Sequence, residues 1–91
     1  MTAYRKCTER FLATEVDDEL ILLDMEGGEL LSLEGSARAI WGAIDGRRGE
    51  AEIAAEAAAG FAGDAQAMER EVRDFLGELT AAGLVRKEGR A

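Results

Sequence analysis

The spacing of the hydrophobic residues changes about one third of the way along the chain. Before that point, residues 20–25 and residues 30–33 form two short apolar runs on either side of the Gly27-Gly28 pair. Glycine readily adopts the positive φ that tight hairpin turns require. The pattern therefore predicts two antiparallel strands joined by a turn.

A third strand is predicted upstream of this hairpin. Residues 9–16 have the composition of a strand, and the Asp17-Asp18 pair behind them is typical of a turn. Because successive side chains of a strand point to opposite faces, the sheet is expected to have an inner and an outer face. The side chains expected to face the helices are Leu31, Leu33, Ile21 and Leu23. Those expected on the opposite face are Leu30 and Ser32.

Beyond residue 33 the apolar residues follow the period of an α-helix. A first helix is predicted to begin at Ser36, its N-cap, and to end near Asp45, with Gly46 in the left-handed conformation behind it. Trp41 lies beside Ile40 on the apolar face of this helix. We interpret it as a core residue.

Two more helices are predicted in the remaining chain. The second covers residues 50–59 and stops at Gly60, and the third covers residues 64–82, with Asp64 as its N-cap and Gly83 at its end. The second helix is expected to bury Ile53, Ala57 and Phe61. The third carries a continuous apolar stripe made of Ala65, Met68, Val72, Phe75, Leu76 and Leu79.

Strands followed by helices predict the α+β class, here a three-stranded antiparallel sheet followed by three helices. This order, with short loops, is that of a winged helix-turn-helix. We expect a single domain over residues 1–91 with an ordered core of about residues 9–85. Residues 1–8 are interpreted as a tail or as the approach to the first strand, and residues 84–88 as either a short return strand or a docked tail.

The charge balance limits the partners of this domain. The 91 residues contain 11 Lys and Arg against 19 Asp and Glu, a net charge of −8. That sign disfavours nucleic acids and anionic membrane surfaces. The single cysteine is Cys7, and we find neither a signal segment nor an apolar run of membrane-spanning length, so we expect a reducing cytoplasm.

The sequence contains no recognisable catalytic constellation. Histidine is absent, so the Cys7 thiol has no imidazole base to activate it. Asp17, Asp18 and Glu19 lack the glycine and the distal bidentate glutamate of a calcium loop, and we interpret them as a solvated turn. Neither Gly27-Gly28 nor the segment Gly46-Arg47-Arg48-Gly49 fits a phosphate-binding pattern. We therefore expect a binding module without cofactor or metal, and not an enzyme.

Several motifs occur in an order that resembles a known family. They are a strand ending in Leu23-Asp24, the glycine turn, a strand ending in Leu33, the Ile40-Trp41 pair, the Asp45-Gly46 pair, and the series Val72, Phe75-Leu76, Leu79 and Gly83-Leu84. Together they resemble the PqqD-like family, also called the RiPP recognition element, which binds leader peptides of ribosomally made, modified natural products. The chain differs from the subgroup that acts in pyrroloquinoline quinone synthesis, because its hairpin turn lacks proline and Trp41 is atypical there.

The resemblance implies a mode of binding. In this family the leader peptide adds a strand to the exposed edge of the third strand, and its apolar side chains enter a groove beside the third helix. The implied peptide-binding residues are Glu29, Leu30, Leu31, Ser32, Leu33, Glu69, Val72, Arg73 and Leu76. Two flanks of the helix are candidates for the groove: one with Glu69, Arg73, Leu76 and Thr80, and one with Glu71, Phe75 and Glu78. The sequence leaves that choice open.

The resemblance also implies a role as an adaptor. Such a protein presents a precursor peptide to a maturation enzyme, for example a radical SAM enzyme, a leader peptidase or a cyclase, by raising the effective concentration of the peptide. The alternatives are a winged-helix DNA-binding regulator and a fixed interaction subunit of an enzyme complex. DNA binding is disfavoured because residues 64–82 carry two arginines against five carboxylates.

Overall fold

A computed structural model describes residues 2–61 and 64–89, and within them the chain forms five strands and three helices. In chain order these elements are β1 (Thr2–Lys6), β2 (Phe11–Val16), β3 (Glu19–Asp24), β4 (Leu30–Leu33), α1 (Ser36–Ala43), α2 (Glu50–Phe61), α3 (Ala65–Ala81) and β5 (Val85–Gly89). The fold is therefore α+β, as predicted.

The three-stranded antiparallel sheet has the order β2-β3-β4, which confirms the predicted meander. Asp17, in the turn between β2 and β3, has a φ of 56°. In the next turn Gly28 has a φ of 73°, and the Asp24 carboxylate accepts hydrogen bonds from the N–H groups of Glu26 and Gly27. Both turns thus use residue types that tolerate a left-handed backbone.

The prediction that Ile21 and Leu23 face the helices is wrong. In the observed register Leu22 pairs with Leu31, and cross-strand partners lie on the same face of a sheet. Leu22 is 0% exposed, whereas Ile21 and Leu23 are half-buried on the outer face. Every position from 20 to 23 is apolar, so the pattern of residue types contains no information about which alternate set points inward.

A second sheet, absent from the prediction, joins the two ends of the chain. β1 pairs antiparallel with β5, from Thr2 opposite Gly89 to Lys6 opposite Val85. The interpretation of residues 2–8 as a tail or approach is corrected accordingly, and residues 85–89 form the return strand. Met1 lies outside the described residues. Ordered structure therefore extends beyond residues 9–85 in both directions.

The helix ends differ from the prediction in two places. Gly35, with a φ of 59°, is the N-cap of α1, and Ser36 is its first helical residue. Helix α2 continues through Gly60 to Phe61, because one glycine in a helix costs only about 1 kcal/mol. Asp64 is confirmed as the N-cap of α3 and accepts a hydrogen bond from the Gln66 N–H at 3.0 Å.

The core lies between the inner face of the sheet and the helices. Trp41 is buried and meets Phe11 edge-to-face, with 5.1 Å between ring centroids, which confirms it as a core residue. The predicted stripes of the second and third helices are buried at Ile53, Ala57, Met68, Val72, Leu76 and Leu79, and Phe75 is half-buried. The side chains of Phe61 and Ala65, and Gly63, lie outside the description. In the described chain, no helix has the length and apolarity needed to cross a bilayer.

Candidate functional site

β4 has an open edge. Within the described part of the chain it pairs with β3 alone. The Asp24 N–H donates to the Glu29 carbonyl at 2.8 Å, and hydrogen-bonded pairs alternate along an antiparallel ladder. Leu31 therefore directs its N–H and C=O toward β3, whereas Leu30 and Ser32 direct theirs toward the open edge. Unpaired groups of this kind can accept another strand.

Two polar contacts show how α3 is oriented relative to this edge. The Ser36 hydroxyl, just beyond the end of β4, donates a hydrogen bond to the Glu71 carboxylate. On the other flank of the helix, the Arg73 Nε donates to the Glu50 carboxylate of α2 at 2.9 Å. The flank of Glu71 and Phe75 is thus the one on the side of β4, and the flank of Arg73 is turned toward α2.

The implied strand residues come together at the β4 edge. Glu29, Leu30 and Ser32 are exposed, Leu31 is half-buried, and Leu33 is buried in the core. The Ser32 hydroxyl donates to the Glu19 carboxylate at 2.8 Å. The edge therefore combines accessible main-chain groups with an apolar inner side.

The implied helix residues do not all reach this edge. Val72 and Leu76 are 0% and 1% exposed, so they hold α3 in the core. Arg73 lies with Glu69 on the flank turned toward α2. The flank on the side of β4 is instead formed by Glu71, Phe75 and Glu78. The three- and four-residue spacing that groups these residues on one flank was visible in the sequence. The sequence did not show that this flank lies on the side of β4.

A second depression lies on the Arg73 flank, between α3 and the β1–β5 ribbon. It has a volume of about 550 Å³ and is lined by Tyr4, Thr80 and Lys87, among others. The hydrogen bond from Arg73 to Glu50 raises the pKa of the guanidinium above its usual value. No residue of β4 lines this depression, so it is separate from the open strand edge.

The described residues contain no group of three or more His, Cys, Asp or Glu side chains arranged to hold a metal ion. Cys7 is a free, half-buried thiol. Burial lowers the pKa of Lys6, against the opposing charge of Asp45, and the Lys6 Nζ lies 4.9 Å from the centroid of the Trp41 ring. Lys6 and Trp41 therefore form a cation–π contact, a common interaction in folded proteins.

Comparison with known proteins agrees with this geometry. Residues 19–85 match the model of the family described as Coenzyme PQQ synthesis protein D (PqqD). The chain belongs to the PqqD family. The matched range runs from the start of β3 to the first residue of β5 and so includes both β4 and α3.

A solved structure is similar to this PqqD-family domain over almost its whole length. It is described as TbiB1 in complex with the TbiA(beta) leader peptide, with a TM-score of 0.74 and 28% sequence identity. The alignment covers 96% of this chain and 98% of that chain. No curated protein matches the chain.

Proposed function

We propose that this PqqD-family domain binds the leader segment of a ribosomally made precursor peptide and presents the precursor to a separate enzyme. The observation that carries the proposal is the open edge of β4 beside α3. It occurs in a fold similar to that of TbiB1, whose structure was solved in complex with a leader peptide.

In this proposal the leader adds a strand to the sheet. Its main chain pairs with the outward N–H and C=O groups of Leu30 and Ser32, which provide affinity that depends little on sequence. Alternate side chains of the added strand then point toward α3. Leu31 and Phe75, both half-buried, are the apolar groups on that side. These side chains select an apolar leader residue.

The charges beside the edge indicate which leader residues fit best. Glu29 in the hairpin and Glu71 and Glu78 on α3 are exposed carboxylates on the side of β4. Opposite charges across an interface add specificity and faster association. We therefore infer a leader with at least one lysine or arginine close to its apolar anchors.

The adaptor itself performs no chemistry in this proposal. Holding a precursor beside an enzyme raises its effective concentration, which accelerates the reaction without a catalytic group on the adaptor. The enzyme would be one that modifies, cyclises or cleaves the bound precursor, such as a radical SAM enzyme, a cyclase or a leader peptidase.

The proposal is tested by titrating the protein with synthetic leader segments from small open reading frames beside its gene, followed by backbone amide NMR. We expect saturable shifts concentrated in residues 29–33 and around Phe75, with a scrambled peptide of the same composition as the control. If no neighbouring peptide produces shifts, the role of leader adaptor fails. The hypothesis that the chain is a fixed interaction subunit of an enzyme complex is then the better one.

A further inference from the structure

The face of the three-stranded sheet that points away from the helices carries a group of apolar side chains. Among the described residues, the large hydrophobic side chains that are at least half exposed are Leu12 (57%), Val16 (51%), Met25 (50%) and Leu30 (69%). Leu12, Val16 and Leu30 lie on this outer face, and Met25 directly follows β3. The exposed hydrophobic residues are thus gathered on one sheet and not scattered.

These side chains are contiguous across the strands. Leu12 pairs with Leu23, and Leu23 pairs with Leu30, so one apolar row crosses the whole sheet. Ile21 lies in the adjacent row between Thr14 and Ser32, and Val16 pairs with Glu19 in the row beyond, so the apolar side chains of these rows have polar neighbours. The outer patch is defined as Leu12, Val16, Ile21, Leu23 and Leu30. The solvent face of an antiparallel sheet is normally polar, and a contiguous apolar patch marks an interaction surface.

The border of the outer patch indicates what covers it. At one end lie the exposed carboxylates of Asp17 and Asp18, and at the other that of Glu29 together with Glu26, whose carboxylate forms an ion pair with Arg10 at 2.9 Å. A second copy of the chain, also with a net charge of −8, would bring like charges together around the patch. An anionic lipid surface is disfavoured for the same reason. The complementary occupant is an apolar protein surface bordered by lysine or arginine.

We propose that the outer patch docks the enzyme that acts on the presented precursor, through an apolar surface with a basic border. This inference rests on the proposed function, because an adaptor must contact its enzyme as well as its peptide. β2 carries Leu12 and Val16 on the side of the sheet remote from the β4 edge. The leader adds in the plane of the sheet at β4, where Leu30 is the one member of the outer patch, so the other four members stay available to the enzyme.

The first test uses the double variant Leu12→Thr and Val16→Thr. Both side chains are at least half exposed, and threonine retains a high preference for strands, so the fold is preserved. The probe is the purified modifying or processing enzyme encoded beside this chain's gene, measured by biolayer interferometry with and without leader peptide. We expect enzyme affinity to fall about tenfold or more, as for buried interface anchors, while leader affinity stays at the wild-type value.

The second test addresses the acidic border. Asp17→Asn removes one charge, and asparagine tolerates the left-handed φ of 56° at this position. The matched control is Asp74→Asn, an exposed carboxylate on α3. We expect Asp17→Asn to slow enzyme association and to reduce its dependence on salt, because border charges act mainly on the association rate. The control should leave both quantities unchanged.

The possible outcomes separate the two proposals. If the wild type binds leader but not the enzyme, or if the threonine double variant binds the enzyme normally, the docking inference is overturned and the leader-binding proposal stands. If the wild type sediments as a dimer and the double variant sediments as a monomer, the outer patch is assigned to a second copy of the chain. Binding to phosphatidylglycerol vesicles that the double variant loses would assign it to a membrane. Failure of the wild type to bind any leader overturns the proposed function itself.

Discussion

The Ser36 hydroxyl at the start of α1 donates a hydrogen bond to the Glu71 carboxylate in the first half of α3. β4 ends at Leu33, so this contact ties the end of the open strand to the flank of α3 beside it. It shows which flank of the helix lies on the side of a strand added to β4.

Replacing Ser32 with proline should weaken leader binding while preserving the fold. The Ser32 N–H points to the open edge, so proline removes a donor for the peptide without breaking a bond to β3. Ser32→Ala is the matched control, because it keeps the N–H and loses only the hydrogen bond to Glu19. By isothermal titration we expect a loss of about tenfold for proline and near wild-type affinity for alanine. Equal affinities for the two variants would exclude strand addition at this edge.

Phe75→Ala should weaken leader binding, whereas Arg73→Gln should not. Phe75 lies on the flank on the side of β4, while the Arg73 side chain is 68% exposed and bonded to Glu50 on the other flank. Because Phe75 also packs against the core, urea unfolding of each variant must accompany the titration. The opposite order of effects would place the peptide on the flank turned toward α2.

Two glycines near the end of α3 should respond in opposite ways to alanine. A Cβ at Gly77 would meet no atom within 4 Å outside its own helix, so Gly77→Ala should stabilise the fold by up to about 1 kcal/mol. Gly83 has a φ of 80°, and a Cβ there would lie 2.8 Å from the Arg10 guanidinium. Gly83→Ala should therefore destabilise the fold by about 1 to 2 kcal/mol. Urea unfolding at a single temperature measures both changes.

Asp45 should make the protein more stable at neutral pH than in acid. Its carboxylate accepts hydrogen bonds from the N–H groups of Arg47 and Arg48 at 2.9 and 3.0 Å. These bonds, that of Arg47 foremost, hold the pKa of Asp45 below its usual value. A lowered pKa in the folded state contributes stability above the unfolded pKa, and that stability is lost as pH falls below about 4.

The measurement for Asp45 is urea unfolding of the wild type and of Asp45→Asn across that pH range. The wild type should be the more stable protein near neutral pH, and the difference should shrink in acid, because asparagine does not titrate. A difference that stays constant with pH would show that the carboxylate makes no contribution specific to its charged form.

The turns and helices of this fold were predictable because their signals are local. Gly28, Gly46 and Gly83 have positive φ where the sequence placed a turn or a helix end, and Asp64 caps α3 as its position suggested. β1 was not predictable, because its partner lies about 80 residues away along the chain and both strands carry charged side chains. Such a pairing depends on the completed fold and not on any local pattern.

The candidate site was predictable at the strand but not at the helix. The two apolar runs on either side of the glycine turn predicted the hairpin and with it β4. The orientation of α3 depends on how α1 and α2 pack around it, which the contacts of Glu71 and Arg73 reveal. The apolar stripe that includes Val72 and Leu76 identifies the buried side of α3. Which of the two flanks beside the stripe lies next to β4 depends on how the other elements pack against the helix.

The pairing of Thr2 with Gly89 places the first and last strands side by side. A polypeptide joined to either end of this domain would therefore leave from nearly the same point, and the domain can be inserted into a loop of a larger protein without separating that loop's two stems. A circular permutant joined between these strands and opened at the Gly27-Gly28 turn should retain the helices and the β1–β5 ribbon. Moving the domain from one host protein to another should therefore require only a single insertion site in the host.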